Sequence, residues 1–278
     1  MGEYSGKTAV VTGAGSGLGA AMADAFAEAG ANLALLDIDG ERARLKAEQL
    51  QYRGTAAIAL RVDVADKASI ASAAAQVQER FGSCDVLCAN VGVQQFGAID
   101  KLTDNDWHWV MSVNFHGVVQ TVSAFLPLLR RARGRRHIVI TSSASYFQHG
   151  VRMGAYVASK FAVVGYGEVL RGELSAEGID VALLFPAGMA TRHLESSIAA
   201  RPAELGESRL DREDIEVMMA GSQVSPADVL TAEQAVRNLP ADLRAGEPYI
   251  FTHGSYRAQI EDRHQAVLRA FDRMTANP

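Results

Sequence analysis

The chain has 278 residues, 48% of them apolar, with a mean hydropathy of +0.01, which describes a globular protein with room for a sizeable core. Its 27 basic and 32 acidic side chains leave a net charge of −5, which offers no overall attraction to nucleic acid or anionic membrane. No apolar run reaches membrane-spanning length, and Met1-Gly2-Glu3-Tyr4 leads towards a strand without a charged-then-apolar leader, so a cytoplasmic protein is expected.

Lys7 to Thr12 is a short β-rich run, followed by Gly13-Ala14-Gly15-Ser16-Gly17-Leu18-Gly19. An alanine-rich helical pattern then runs from Leu18 to Ala29 and stops at Gly30, and Asn32 to Leu36 reads as a buried strand ending in Asp37. Strand, glycine turn, helix and strand make a right-handed parallel βαβ unit. The glycines let the backbone approach a pyrophosphate, and the helix start beside Ser16 and Leu18 supplies free N–H groups and a positive dipole end. Asp37 stands about where a carboxylate meets the adenosine ribose: two hydroxyls suit it and a 2′-phosphate is repelled, so NAD is expected rather than NADP. Arg42 and Arg44 follow Gly40 at helix spacing and read as solvent-facing.

The alternation continues. Glu41 to Arg53 reads as helix, Ala56 to Val62 as strand ending in Asp63-Val64, Lys67 to Phe81 as helix, and Val86 to Ala89 as strand ending in Asn90-Val91-Gly92. Trp107 to Arg133 is a long helical stretch with Asn114 and Pro127 inside it. Arg130, Arg131, Arg133, Arg135 and Arg136 sit where cations suit a helix C-terminus, with Gly134 as the stop. His137 to Thr141 is the next strand, Tyr156 to Ala176 a helix, and Asp180 to Phe185 a strand ending in Pro186. Six strands separated by helices imply an α/β fold, a Rossmann-like doubly wound parallel sheet with ligands at the carboxyl ends of its strands.

From Thr191 to Val224 the pattern loosens, and a segment so much longer than an ordinary connection reads as a helical substrate lid. Ala227 to Asn238 looks helical, Pro248 to Thr252 is a last short strand, and Glu261 to Met274 carries apolar residues at helical spacing, to be packed within the chain or across a subunit boundary. Without repeats or a low-complexity linker, a single domain over residues 1–278 is the economical reading. Cys84 and Cys88 lack the second pair or histidines of a zinc site and read as buried free thiols in a reducing compartment; no metal is expected.

The chemistry concentrates after the strand His137 to Thr141. Ser142-Ser143-Ala144-Ser145-Tyr146 closes that run, and Tyr156 and Lys160 follow on one helix face, four residues apart. A free tyrosine titrates near pH ~10, and a lowering by ~3 units, about 4 kcal/mol of differential interaction, is what a fixed ammonium nearby is expected to supply. Ser143 can donate to a carbonyl or alkoxide oxygen.

Together these features resemble the short-chain dehydrogenase/reductase family in its single-domain form, over about Gly6 to Thr191 and more loosely to Thr252. Thr12-Gly13-Ala14-Gly15-Ser16-Gly17-Leu18-Gly19 matches its cofactor turn, and Asn114, Ser143, Tyr156 and Lys160 fall in the order of its catalytic tetrad. The resemblance implies that Asp63 and Val64 contact adenine, and that Pro186 and Thr191 hold the nicotinamide carboxamide. It places Asn90 and Gly92 beside the dinucleotide; Tyr156 and Lys160 also touch the cofactor. Two departures stand out: Ala89-Asn90-Val91-Gly92 replaces the usual Asn-Asn-Ala-Gly, and Ala187 takes the place of a glycine that here falls at Gly188.

By the same resemblance, hydride passes between nicotinamide C4 and the carbinol carbon of a secondary alcohol or ketone. Tyr156 moves the proton, Lys160 lowers its pKa and holds ribose hydroxyls, Ser143 steadies the substrate oxygen, and Asn114 holds a water linking Lys160 to solvent. Val93, Gln94, Ser145, Phe147, His149, Met153, His193 and Leu194 are candidate pocket walls, with Gln94, Ser145, Phe147, Met153 and His193 the substrate contacts. Several are apolar or aromatic, which suits a hydrophobic or aromatic small molecule. The alternatives are an NADH-dependent ketoreductase working in reverse, and an NAD-binding sensor without turnover. The helices bearing Asn114 and Tyr156 are the family's usual assembly surfaces, which implies a homotetramer, or failing that a homodimer.

Overall fold

Every residue of Thr8–Thr12 (β1), Val86–Ala89 (β4) and, past its first residue, Arg136–Thr141 (β5) is buried. Unbroken apolar runs of this kind need cover on both faces. The computed structural model, which describes residues 2–189, 193–206, 211–221 and 229–275, supplies that cover. Asn32–Asp37 (β2), Ala57–Arg61 (β3), Ile179–Phe185 (β6) and Tyr249–Phe251 (β7) join them in one parallel sheet of order β3-β2-β1-β4-β5-β6-β7. The chain starts at β1, winds outward to β3, then returns to β4 on the other side. A crevice therefore opens between the ends of β1 and β4.

Helices α1 (Gly17–Glu28) and α2 (Gly40–Tyr52) lie on one face, around Met22, Phe26 and Leu50. On the other, α3 (Lys67–Phe81) has the bounds its apolar pattern implies. It packs there with α4 (Asp104–Met111), α5 (Gly117–Arg131) and α6 (Gly154–Leu174), around Phe125 and Leu129. Phe26, Phe125 and Phe185 are fully buried, each worth on the order of 2–3 kcal/mol of transfer free energy.

The stretch read as one helix from Trp107 to Arg133 is two. It starts earlier, because Thr103 and Asp106 form a capping box, and a π turn at Ser112–His116 interrupts it. The extra residue per turn rotates the face inside the helix, and Asn114 lies in that turn, fully buried. The arginines at and beyond the end of α5 do more than face solvent: Arg130 grips Glu177 through two bonds of 2.7 Å, and Arg135 Nε lies 2.5 Å from Asp180, fastening the helix end to the start of β6. Both pairs are half exposed, so solvent screens them and they position the segments more than they stabilise the fold.

The segment read as a lid contains, among the described residues, α7 (His193–Ala200) and α8 (Arg212–Gly221). The helix read from Ala227 to Asn238 begins beyond undescribed residues at α9 (Ala232–Val236), started by a Thr231–Gln234 capping box, and α10 (Leu239–Ala245) follows with Pro240 in its first turn. The last helix, α11 (Arg257–Thr275), starts earlier than its apolar pattern implied. Its beginning packs within the chain: Arg263 donates to the Tyr146 carbonyl at 2.6 Å and covers the rings of Tyr146 and Phe161, while Val267, Leu268, Phe271 and Met274 further along are exposed. Cys84 and Cys88 are buried free thiols, and burial pushes both pKa values up. No described helix is long and apolar enough to cross a membrane.

Candidate active site

Three polar residues tie the strand ends at the crevice. Thr12 Oγ1 donates to the Cys88 carbonyl at 3.2 Å and accepts the Asn90 N–H at 2.9 Å; Asn90 Nδ2 donates back to the Thr12 carbonyl at 3.2 Å. Thr141 Oγ1 donates to Asn90 Oδ1 at 3.1 Å, so the ends of β1, β4 and β5 are held as one unit. The sequence pointed to Asn90 but not to Thr12 or Thr141 as its partners.

On this base sits the glycine turn. Gly13 has φ of +69°, and a Cβ at Gly19 would lie 2.1 Å from the Gly13 carbonyl, so only glycine lets α1 start this close to β1. Ser16 precedes α1 without a side-chain cap, which leaves the first-turn N–H groups, including that of Leu18, free for an anion. Gly17 also has positive φ. Asp37, at the end of β2, accepts the N–H groups of Gly15 at 2.8 Å and Asp39 at 2.9 Å; burial outweighs both bonds and raises its pKa. Its remaining lone pairs suit two hydroxyls and repel a phosphate. Arg42 and Arg44 are exposed and paired with acids of their own helix or its cap. Gly-rich turn, uncapped helix start and oriented carboxylate fit a dinucleotide. Asp63 is exposed and accepts its own loop's Ala65 N–H at 2.8 Å, while Val64 is buried against Gly117. Pro186 gives its carbonyl to the Ala144 N–H at 2.8 Å, and Ala187 donates its N–H to Thr252 Oγ1 at 3.1 Å. Thr191 lies outside the described residues.

Beside the turn, α6 brings Tyr156 and Lys160 to the pocket, both nearly fully buried. Lys160 Nζ donates to the Thr141 carbonyl at 3.0 Å and lies 5.6 Å from the Tyr156 ring centre. Burial lowers its pKa to about 8. The lowering expected for Tyr156 does not appear in the protein by itself: burial raises its pKa, and hydrogen bonds from Ser143 and Gln94 pull it down only in part. A Cβ at Gly92 would come within 3.1 Å of Lys160 Nζ, so this glycine keeps the ammonium's space open. Asn114 is occupied by protein: Oδ1 accepts the Val93 N–H at 2.7 Å, and Nδ2 donates to the Val93 carbonyl and Ser159 Oγ, both at 2.9 Å. It clamps the loop after β4, and Oδ1 retains one lone pair.

The candidate wall residues divide. His193, at the start of α7, places its ring edge-on to Tyr156 with centres 6.4 Å apart; burial, then the Lys160 charge, lowers its pKa to about 4, so it is neutral at physiological pH. The Gln94 main-chain N–H donates to Ser197 Oγ of α7 at 3.0 Å, and Ser145 Oγ is buried without a protein partner, next to Ser143 Oγ, which accepts the Ser145 N–H at 3.1 Å. Phe147 is different. The 3-10 turn Ala144–Tyr146 carries it, half-buried, into an aromatic cluster with buried Phe185 and exposed Phe251, at 5.1 and 5.5 Å, beside β7. His149 is exposed and bonded to the Ser145 carbonyl. Met153 precedes α6 and bridges to Gly97 through its backbone. Val93 is buried, and Leu194 half-buried on α7.

The anchor of α7 escaped the sequence reading. Arg201, one residue past the helix, is buried over the Trp109 ring, pairs with buried Asp106 at 2.7 Å and donates to Gln95 Oε1 at 3.1 Å. His193, Ser197 and Arg201 recur every four residues, a spacing that could have shown one face turned inward. Among the described residues no group of three or more His, Cys, Asp and Glu side chains is arranged to hold a metal ion.

Comparison with known proteins agrees with this geometry. A match to the family described as short chain dehydrogenase spans residues 7–202. The crystal structure of a short chain dehydrogenase/reductase from Burkholderia phymatum in complex with NAD superposes with a TM-score of 0.88 at 31% identity, covering 97% of each chain. A C alpha-dehydrogenase of Sphingobium sp. is 29% identical over 279 aligned positions, covering all of this chain and 90% of that protein. Oxidoreductase UcpA of Salmonella typhimurium is 35% identical over 196, covering 70% of this chain and 74% of that one.

Proposed function

The chain belongs to the short-chain dehydrogenase family of oxidoreductases, and on that premise we propose that it is an NAD-dependent enzyme moving a hydride between nicotinamide and the carbinol carbon of a secondary alcohol or ketone. One observation carries the reading: buried Tyr156 and Lys160 and half-buried Ser143 gather beside a dinucleotide-fitting turn whose neighbouring carboxylate is Asp37. NAD, when bound, supplies the C4 that accepts or returns the hydride. The glycine turn and the start of α1 hold its pyrophosphate, Asp37 the adenosine ribose, and Lys160 the other ribose.

In this reading Tyr156 takes the hydroxyl proton during oxidation and returns it during reduction, and Ser143 donates to the substrate oxygen as its charge changes. The substrate has an apolar or aromatic body, as expected from the sequence. Phe147, half-buried, contributes to the apolar wall, and polar His193, Gln94 and Ser145 ask in addition for at least one oxygen beyond the reacting one. The raised pKa of Tyr156 favours a second reading of direction: a protonated phenol at neutral pH is the form needed to reduce a ketone, with oxidation gaining as pH rises. The protein works as one domain with the 191–224 segment as its lid, as a homotetramer in a reducing, cytoplasmic setting.

Titration with NAD and NADP, followed by a panel of aliphatic, steroid and aryl secondary alcohols and their ketones at neutral and alkaline pH, tests this. Micromolar binding of NAD with turnover of an alcohol or its ketone is expected. Tight NAD binding with no turnover across the panel would favour the non-catalytic sensor. Light scattering that shows a monomer at micromolar concentration would remove the tetramer.

A further inference from the structure

On α6, Lys160 stands four residues after Tyr156, so its N–H faces the Tyr156 carbonyl along the helix. That carbonyl also accepts Ser159 Oγ at 2.7 Å, and the Lys160 carbonyl accepts Ser142 Oγ at 3.1 Å. Both serines are fully buried, and each has a second hold outside α6. Ser159 Oγ accepts Asn114 Nδ2 of the π turn at 2.9 Å, and Asn114 in turn clamps Val93. Ser142 lies just past β5, where its N–H donates to the Leu184 carbonyl of β6 at 2.8 Å. A serine inside a helix often bonds a carbonyl three or four residues back, and by itself the Ser159 bond would be local. The bond from Asn114 makes it a tie between elements, and Ser142 reaches α6 from the sheet.

We propose that Ser159 and Ser142 are positioning residues that fix the single helical turn between Tyr156 and Lys160, one against the loop after β4 and the other against the end of β5. This rests on the proton-transfer reading of Tyr156 given above. The ends of that turn carry the phenol and the ammonium, and the carbonyls of those same two residues are the ones held. Lys160 Nζ donates to the Thr141 carbonyl at 3.0 Å, so its side chain and its backbone are both registered to adjacent residues at the end of β5. Apolar burial is non-directional and places α6 on the sheet, whereas hydrogen bonds have preferred angles and so set the rotation and depth of one turn. A misplacement of about 1 Å can cost on the order of 10² in rate, which is why so local a hold matters to the chemistry.

The test compares Ser159→Ala, where alanine keeps the helix favourable, with Ser142→Ala and Ser142→Thr, the last retaining a hydroxyl. Amide hydrogen exchange of the NAD-free chain is followed by mass spectrometry, beside kcat, KM for an alcohol of the panel above, and NAD affinity. In each alanine variant the peptide spanning 156–160 is expected to exchange about tenfold faster, with the rest of α6 and the sheet unchanged. Turnover is expected to fall about tenfold, with KM and NAD affinity within about twofold of the parent, while Ser142→Thr keeps kcat within about threefold. An unchanged kcat in either alanine variant, a loss carried by KM alone, or equal losses in Ser142→Thr and Ser142→Ala overturns the proposal. So does faster exchange throughout α6 and the sheet, which would make the serines supports of the whole fold. Exchange needs no substrate, so failure of the dehydrogenase reading is seen separately, as a parent without turnover whose alanine variants still loosen the turn.

Discussion

The two walls of the pocket, the strand ends from Thr12 to Thr141 and the helices α7 and α8 opposite them, are fixed by different forces. The strand ends rise from a sheet whose faces are both dry, and short bonds among Thr12, Asn90 and Thr141 merely finish what parallel pairing and apolar burial have set. The α7 and α8 wall has little of that. The only residue of α7 that is fully buried is Ser197, and the helix is rooted by a buried ion pair, Arg201 with Asp106. On α8, buried Asp214 lies 3.1 Å from Arg152, whose φ of +66° is, among the described residues, the one left-handed backbone outside glycine. Such a conformation costs about 1 kcal/mol or more, and the ion pair helps to hold it. Apolar packing cannot easily be undone in part, whereas a charge pair either is seated or leaves two buried ions without partners. The chemistry thus rests on a rigid floor, and the substrate side on contacts able to exist in two states.

Substitutions can break this division at either wall. Tyr156→Phe, on the rigid side, should lower turnover about 10³-fold while NAD binding survives, because only the proton-transfer group is gone; steady-state kinetics beside a nucleotide titration decides, and full residual turnover would move the proton transfer elsewhere. Arg201→Met strikes the other side. It strands Asp106 and should cost about 3 kcal/mol locally, seen as proteolysis within α7 at unchanged NAD affinity. A parallel loss of NAD binding would show that the two walls are not independent.

Acid should reach both walls. His137 on β5 and His193 on α7 each have pKa values lowered by burial to about 4, so each is neutral when folded and takes up a proton on unfolding below the ordinary value of 6.5. Their contribution is intact above that value and is lost as pH falls from it towards 4, reaching about 2 kcal/mol for each by pH ~5. Comparing urea midpoints of the parent and His137→Gln at neutral pH and pH ~5 reads the sheet; proteolysis of α7 over the same range reads His193. A smaller effect is expected for Asp37→Ala, which should shift the NAD to NADP affinity ratio about tenfold towards NADP by removing the carboxylate that repels a 2′-phosphate. An unchanged ratio would assign the ribose to another residue.

Much of this protein was legible in its sequence. Strand runs buried on both faces, the glycine turn and the acid after β2 are local features, and in a doubly wound sheet local order dictates where strand ends meet. That is why the fold, the crevice and the positions of Asn114, Ser143, Tyr156 and Lys160 could be anticipated together. What tertiary structure alone decided depends on partners far along the chain. Phe147 reads along the chain as a pocket wall, and only the fold shows that its ring also packs against Phe185 and Phe251. Tyr156 looks like an acidified phenol until burial is weighed against its hydrogen bonds. The π turn that carries Asn114, and the Arg201 root of α7, follow from how α4 and α7 meet the loop after β4. Desolvation and long-range pairing are properties of the packed chain, and no spacing along it encodes how much water is left at a given atom.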